Sequence, residues 1–173
     1  ALEALAEAQR GAEARLARVE EEMAALAEAQ RRTDERLGPL VDDIGVTAEV
    51  EATEVLLEVL EGRAFAILGE PAPLDLDGEV DLAVQVQDEG GRRLTVLVEV
   101  KNRLRSRDVA AWADRAGSES FRARLAAAGL PGPYLVYAFG RRVYPGVREI
   151  AERAGVGVLG PRGEQVVPRV SEG

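Results

Sequence analysis

The sequence predicts an α/β domain, a mixed sheet flanked by helices, preceded by a long coiled-coil helix. Three observations predict it. An apolar stripe with steps of three and four runs through residues 2–40. Two runs of two-residue alternation, at 80–86 and 94–101, flank the turn sequence Asp88-Glu89-Gly90-Gly91. Helix-like and strand-like segments then alternate as far as residue 159, the order expected of strands joined by crossover helices.

The stripe consists of Leu2, Leu5, Ala12, Leu16, Val19, Met23, Leu26, Leu37 and Leu40, with Gln9, Gln30 and Thr33 as polar interruptions. A stripe of two positions in seven is too narrow to cover a globular core and suits the matching stripe of another helix. Residues 2–40 are therefore expected to join copies of the chain into a homo-oligomer. Gly38-Pro39 breaks the helix. This divides the chain into a coiled-coil segment, residues 1–40, and a domain, residues 41–173.

Within the domain, residues 46–61 read as a helix with Val46, Val50, Thr53, Leu57 and Leu60 on one stripe, ended by Gly62. Ala64–Leu68 is a short strand, and residues 70–78, rich in Pro, Asp and Gly, form a loop. In the next strand Val80, Leu82, Val84 and Val86 share one face, and Asp81, Ala83 and Gln85 the other. After the turn, Leu94, Val96, Val98 and Val100 share one face, and Thr95, Leu97, Glu99 and Lys101 the other. Centring the hairpin on Gly90 sets opposing residue numbers to sum to 180, so that Asp81 lies across from Glu99. Their Cβ atoms would be about 4.5–5.5 Å apart. A helix over 106–128 follows, with Ser106 as its N-cap and Asp108 in its first turn. Tyr134–Phe139 is a strand, Pro145–Ala154 a helix and Val156–Leu159 a strand; the remainder reads as irregular.

Composition excludes several chemistries. Cysteine and histidine are both absent. Disulfides, thiolate nucleophiles, histidine bases and histidine-held zinc are therefore ruled out. Any bound metal must be held by oxygen, which favours magnesium or manganese. No apolar run approaches the roughly 18 residues of a membrane span, and no signal-peptide pattern opens the sequence, so a cytoplasmic protein away from membranes is expected. The net charge is −9. It is unevenly spread: residues 41–100 hold 15 acids and 3 bases, a net of −12, whereas residues 101–173 hold 7 acids and 13 bases, a net of +6. Of the 22 basic residues, 21 are arginine, and the single lysine is Lys101. A guanidinium fork and a compact ammonium are not interchangeable beside reacting oxygens, so the lone lysine marks its position.

Asp81 and Glu99 are like charges facing each other across a strand pair, which destabilises a sheet unless the carboxylates project into solvent at the strand ends or a divalent cation lies between them. Asp81, followed after 17 residues by Glu99-Val100-Lys101 at the end of an apolar strand, resembles the signature of the PD-(D/E)xK nuclease superfamily, which includes restriction endonucleases and Holliday-junction resolvases. Gly45-Val46-Thr47-Ala48-Glu49 resembles the Gly-x-x-x-Glu that opens the first helix of the resolvase-like branch; Val80 stands where the name-giving motif has proline. The resemblance implies a restriction-endonuclease-like fold and a Mg2+-dependent (or Mn2+-dependent) DNA endo- or exonuclease in repair, recombination or defence. Asp81, Glu99 and the Val100 carbonyl would hold the metal. Lys101 would stabilise charge developing on the phosphate, and Glu49 would reach the metal or its water. Arg103, Arg105, Arg107, Arg115, Arg122, Arg124, Arg141 and Arg142 are candidates for phosphate contacts, with Arg103, Arg105, Arg107, Arg141 and Arg142 the DNA-binding set expected first. The alternative is a nuclease-fold protein that no longer cuts and serves as a DNA-binding or assembly factor, oligomerised by its coiled coil.

Overall fold

The structure is a computed structural model describing residues 18–19, 22–32, 47–76 and 79–172. The chain divides into two units, Ala1–Ile44 and Gly45–Gly173. Most of the apolar stripe, the Gly38-Pro39 break, Gly45 and Val46 lie outside the described residues. In the first unit, residues 18–19 and 22–32 are helical. Arg18–Glu22 and Arg32–Glu28 pair four residues apart, and Arg31–Glu28 three apart. Such pairs each add a few tenths of a kcal/mol to a helix, about 0.2–0.5. Val19, Met23 and Leu26, all on the stripe, are 50%, 66% and 68% exposed.

The second unit opens with helix α1, residues 47–62. Strands β1 (Ala66–Ile67), β2 (Ala72–Asp75), β3 (Glu79–Gln87) and β4 (Arg93–Leu104) follow. Then come α2 (Ser106–Gly117), α3 (Glu119–Ala127), β5 (Tyr134–Val143), α4 (Val147–Ala154), β6 (Gly157–Gly160) and β7 (Gly163–Val166). One seven-stranded mixed sheet runs in the order β1-β3-β4-β5-β6-β7, with β2 also on β3. The β3–β4 and β6–β7 pairs are antiparallel; β4–β5 and β5–β6 are parallel. Each parallel step is bridged by helix, as parallel strands require.

The sheet is buried on both faces. On one, Leu82, Val84, Val86, Leu94, Val96, Val98, Leu135, Tyr137 and Phe139 pack with Ala52, Val55, Leu56 and Leu60 of α1. On the other, Ala83, Leu97, Val136, Ala138 and Val158 pack with Val109, Trp112 and Ala116 of α2, Phe121 and Leu125 of α3, and Val147 and Ala151 of α4. Full burial of one such aliphatic or aromatic side chain stabilises by about 1.5–3 kcal/mol.

Several sequence expectations are corrected. The buried face of α1 is Ala48, Ala52, Val55, Leu56 and Leu60, and Val50 is 54% exposed. The stripe chosen by bulk missed two alanines whose small side chains let the helix lie close to the sheet. Residues 72–75, expected in a loop, form β2; its Pro73, which lacks an N–H, is tolerated on a strand that pairs only with β3. The single helix expected over 106–128 is two helices. Ser118, in an extended conformation (φ −72°, ψ 136°), ends α2 and caps α3 by accepting from the Phe121 amide. The N-cap of α2 is Arg105 rather than Ser106. Asp108 at N3 reaches back, its Oδ2 accepting from the Arg105 amide at 2.8 Å. α4 starts at Val147, with Gly146 at its N-cap, and β5 continues four residues past Phe139 to Val143. The expected irregular tail contains β7, tied to β5 through Glu164, which accepts from the Tyr137 hydroxyl at 2.7 Å.

Val80 is corrected too. It packs with Ala83 and Leu97, on the face opposite Leu82 and Val84. The β2–β3 register shifts from Ala72↔Ala83 to Leu74↔Val80. Three steps on β3 therefore span two on β2, the signature of a β-bulge at residues 81–82.

Candidate active site

From the turn inward, β3 and β4 pair in the register expected from centring on Gly90: Gln87↔Arg93, then in sequence to Leu82↔Val98. There the ladder stops. The bulge bends β3 toward β2 and carries Asp81 out of the pairing pattern. Val100, released from the ladder, donates its N–H to Asp81 Oδ2 at 2.6 Å. A strand residue points its N–H and C=O to the same edge, so the Val100 carbonyl faces this side as well.

β4 continues alone against β5, with Glu99↔Ala138 and Lys101↔Gly140 in register. Alternation sets Glu99 and Lys101 on the face of Leu97, the face covered by α2. A Cβ on Gly140 would stand 2.5 Å from the Leu104 Cβ, so glycine is required at the level of Lys101. Glu99, Lys101, Asp108, Ala111, Trp112 and Arg115 line a cavity of about 240 Å³ between β4 and α2. Trp112 fixes α2 there, its Nε1 donating to the Tyr137 carbonyl at 2.8 Å.

The electrostatics are those of a crowded, half-buried charge cluster. Lys101 Nζ donates to Glu99 Oε1 at 2.6 Å, with the lysine side chain 43% and the glutamate 17% exposed. Glu99 Oε2 is buried and has no hydrogen-bond partner. A buried polar oxygen left unpaired costs about 1–3 kcal/mol, and more when charged. Burial pushes the Asp81 carboxyl above the ordinary aspartate value; the Val100 amide pulls it down, Glu99 adds to the rise, and Lys101 and Arg115 oppose it. For Lys101, burial works to lower the ammonium's pKa. The bond to Glu99 and the charges of Glu99, Asp81 and Asp108 outweigh it, so the net shift is upward. The donor set fits a hard cation: two carboxylates and a carbonyl, one carboxylate oxygen lacking any partner.

Glu49 does not complete this set. Its carbonyl accepts from the Thr53 hydroxyl within α1, and among the described residues no three carboxylates gather closely enough to hold a metal ion. The five arginines of the DNA-binding set also separate. Arg141 Nε lies 2.7 Å from Glu51 Oε2, an ion pair by distance without hydrogen-bond alignment, and Arg107 Nε lies 3.7 Å from Asp108 Oδ1. Arg103 and Arg142 are neighbours in the β4–β5 register. Arg105 and Arg142 both stack on Tyr144, at 5.5 and 5.4 Å from its ring centroid. Arg115, a candidate phosphate contact from the sequence, lines the cavity with Asp108, and neither Asp108 nor Tyr144 is singled out for the site by the sequence. For Asp108 and Arg115 the legible signal was the spacing Asp108, Ala111, Trp112, Arg115, one face of a helix.

No protein-family model, no curated protein and no solved structure matches the chain. Among the described residues, no helix is long and apolar enough to cross a membrane.

Proposed function

We propose that the domain is a metal-dependent deoxyribonuclease of the PD-(D/E)xK type, with a restriction-endonuclease-like fold. The observation that carries the reading is the junction where β3 and β4 part. Asp81, Glu99 and Lys101 meet there, and Glu99 Oε2 is buried without a partner. The element order supports it: a helix, an antiparallel hairpin, then a helical crossover to a parallel strand.

Asp81, Glu99 and the Val100 carbonyl are the residues that would hold magnesium or manganese. When bound, the ion polarises the phosphodiester and makes water more acidic. Lys101, carrying its charge across the physiological range, stabilises negative charge accumulating on the phosphoryl oxygens. Arg103, Arg105 and Arg142, grouped at the same strand ends, supply the electrostatic attraction to the backbone of DNA. The exposed stripe residues Val19, Met23 and Leu26 support the coiled-coil reading, in which a second copy of the segment covers them.

One observation favours the non-cutting alternative, a DNA-binding or assembly factor. Lys101 is bonded directly to Glu99, as in a structural ion pair. A panel of DNA structures incubated with manganese, wild type beside Asp81→Ala, separates the two. Cleavage by the wild type alone supports the enzyme. A wild type that binds DNA, cuts none of it and takes up no manganese sinks the enzyme reading.

A further inference from the structure

Three arginines crowd the place where β4 and β5 end. Arg103 and Arg142 are register partners, two residues beyond Lys101 and Gly140, and Arg105 follows where β4 gives way to α2. Like charges side by side on neighbouring strands are unfavourable. All three side chains are exposed. Elsewhere in the domain arginine is paired: Arg63 with Glu164, Arg92 with Glu172, Arg141 with Glu51. Among the described residues, the guanidiniums of Arg105 and Arg142 make no hydrogen bond and no ion pair. Asp108 takes the Arg105 amide rather than its side chain, and Glu149, on the groove beside Tyr144, pairs with neither arginine.

What holds these two is a ring. Arg105 and Arg142 lie 5.5 and 5.4 Å from the Tyr144 centroid, within the roughly 6 Å over which a ring face attracts a cation. Tyr144 is half-buried against the core. Its N–H donates to the Leu104 carbonyl at 3.0 Å, and its carbonyl accepts from the Val147 N–H at 3.3 Å. Among the described residues its hydroxyl makes no hydrogen bond, so the ring itself is the part in use. A ring face attracts a guanidinium without satisfying its N–H edge. Two such edges, gathered at one ring with no acid to take them, match the oxygens of a phosphate. Side chains held before binding also have less rotamer freedom left to lose.

We propose that Tyr144 is a positioning residue, holding Arg105 and Arg142 as a clamp for a backbone phosphate of DNA next to the one that Lys101 addresses. The clamp rests on the DNA-binding part of the reading above and adds to it the ring that sets the two arginines.

The experiment follows the fluorescence anisotropy of a short labelled DNA duplex titrated with the full chain, at low salt and without divalent metal. Wild type is compared with Tyr144→Phe, Tyr144→Leu, the double change Arg105→Gln with Arg142→Gln, and that double change combined with Tyr144→Leu. Each is first checked for an unchanged far-ultraviolet dichroism spectrum. Tyr144→Phe, which keeps the ring, should bind as the wild type does. Tyr144→Leu should weaken binding by about three- to tenfold. In the double-glutamine background the same change should cost nothing further, whereas a ring that merely supports the fold would weaken both backgrounds alike. Four results overturn the proposal: a wild type that binds no DNA, Tyr144→Leu equal to wild type, Tyr144→Phe as weak as Tyr144→Leu, or an equal loss in both backgrounds. If Tyr144→Leu does not fold, Arg105→Lys with Arg142→Lys takes its place. That pair keeps both charges and gives up the flat forks, so binding should weaken by about threefold or more; unchanged affinity overturns the clamp. Cleavage is measured separately with manganese. A wild type that cuts nothing yet binds as described leaves the clamp standing and removes the nuclease reading. A wild type that cuts, with variants that bind as it does, removes the clamp alone.

Discussion

The two ends of the β3–β4 hairpin obey different rules. From the turn to Leu82↔Val98 the strands keep one register, their apolar residues alternate, and both faces are buried. A one-residue slip there would move every valine to the wrong face, so the pattern itself fixes the pairing. Past Leu82 the ladder ends, β3 bulges, and a side chain takes over the hydrogen bond that a backbone carbonyl would have accepted. The lesson is that apolar pairing and the charged cluster are separated along the same two strands, with the cluster placed where pairing has been given up.

That contrast can be broken by mutation. The largest effect is expected from Asp81→Ala at the open end. It deletes a carboxylate of the cluster and leaves the Val100 N–H without its acceptor. DNA cleavage in manganese should drop to background while far-ultraviolet dichroism is retained; cleavage at the wild-type rate would dismiss the site. Next comes Lys101→Arg, which keeps the charge but replaces a point with a fork. The rate should fall by about 10²–10³ with manganese affinity nearly unchanged, as read by single-turnover kinetics beside metal titration. An unaltered rate would show that the lone lysine is an accident.

Leu94→Ala at the paired end should do the reverse. Removing this buried side chain should cost about 2–5 kcal/mol in urea unfolding, while the cleavage rate of the molecules that remain folded stays at the wild-type value. A specific loss of rate would erase the distinction between the two ends. The double change Arg103→Gln with Arg142→Gln tests the surface beyond the open end. Two lost phosphate contacts should flatten the dependence of log affinity on log salt by about 1.8 on duplex DNA. A slope that does not change would exclude these arginines from the interface.

The smallest effect concerns Tyr137. Burial, chiefly, and its bond to Glu164 push this phenol well above its usual value, against the pull of Arg63. A proton held more tightly by the folded state contributes stability that is fully present below pH 10.0, the usual tyrosine value, and is lost as pH rises toward the folded-state value. Tyr137→Phe should therefore cost about 1 kcal/mol at neutral pH, and the gap to wild type should narrow in thermal melts above pH 10.0. A gap that holds constant or widens would contradict the sign of this shift.

What was legible in the sequence follows from the same contrast. Alternation from Leu94 to Val100 fixed the faces of β4, and with the turn glycines it gave the register; the singular lysine drew attention to position 101. The bulge left no mark, because Val80 and Leu82 are both apolar and either face accepts them. The break at Ser118 was hidden among alanines and arginines that favour helix on both sides. Strand β7, Gly163-Glu164-Gln165-Val166, has almost no apolar pattern, since it is held through Glu164 rather than by a greasy face. Arg115 was one of many arginines until packing showed which side of α2 meets the cavity.

The Arg63–Tyr137–Glu164 cluster has a consequence for the order of assembly. Arg63 donates to the Tyr137 hydroxyl at 2.7 Å and to Glu164 Oε1 at 3.2 Å, and the last bond joins positions 101 residues apart. Contacts of such long range form late and slow the search for the native state. On a ribosome, α1 and β1 through β6 emerge before the strand that supplies the anion. Until Glu164 arrives, a guanidinium and a phenol wait beside an uncapped strand, β6, whose backbone can recruit a neighbouring chain. The four-residue strand that carries Glu164 thus ties the end of α1 and the middle of β5 to the last strand of the sheet.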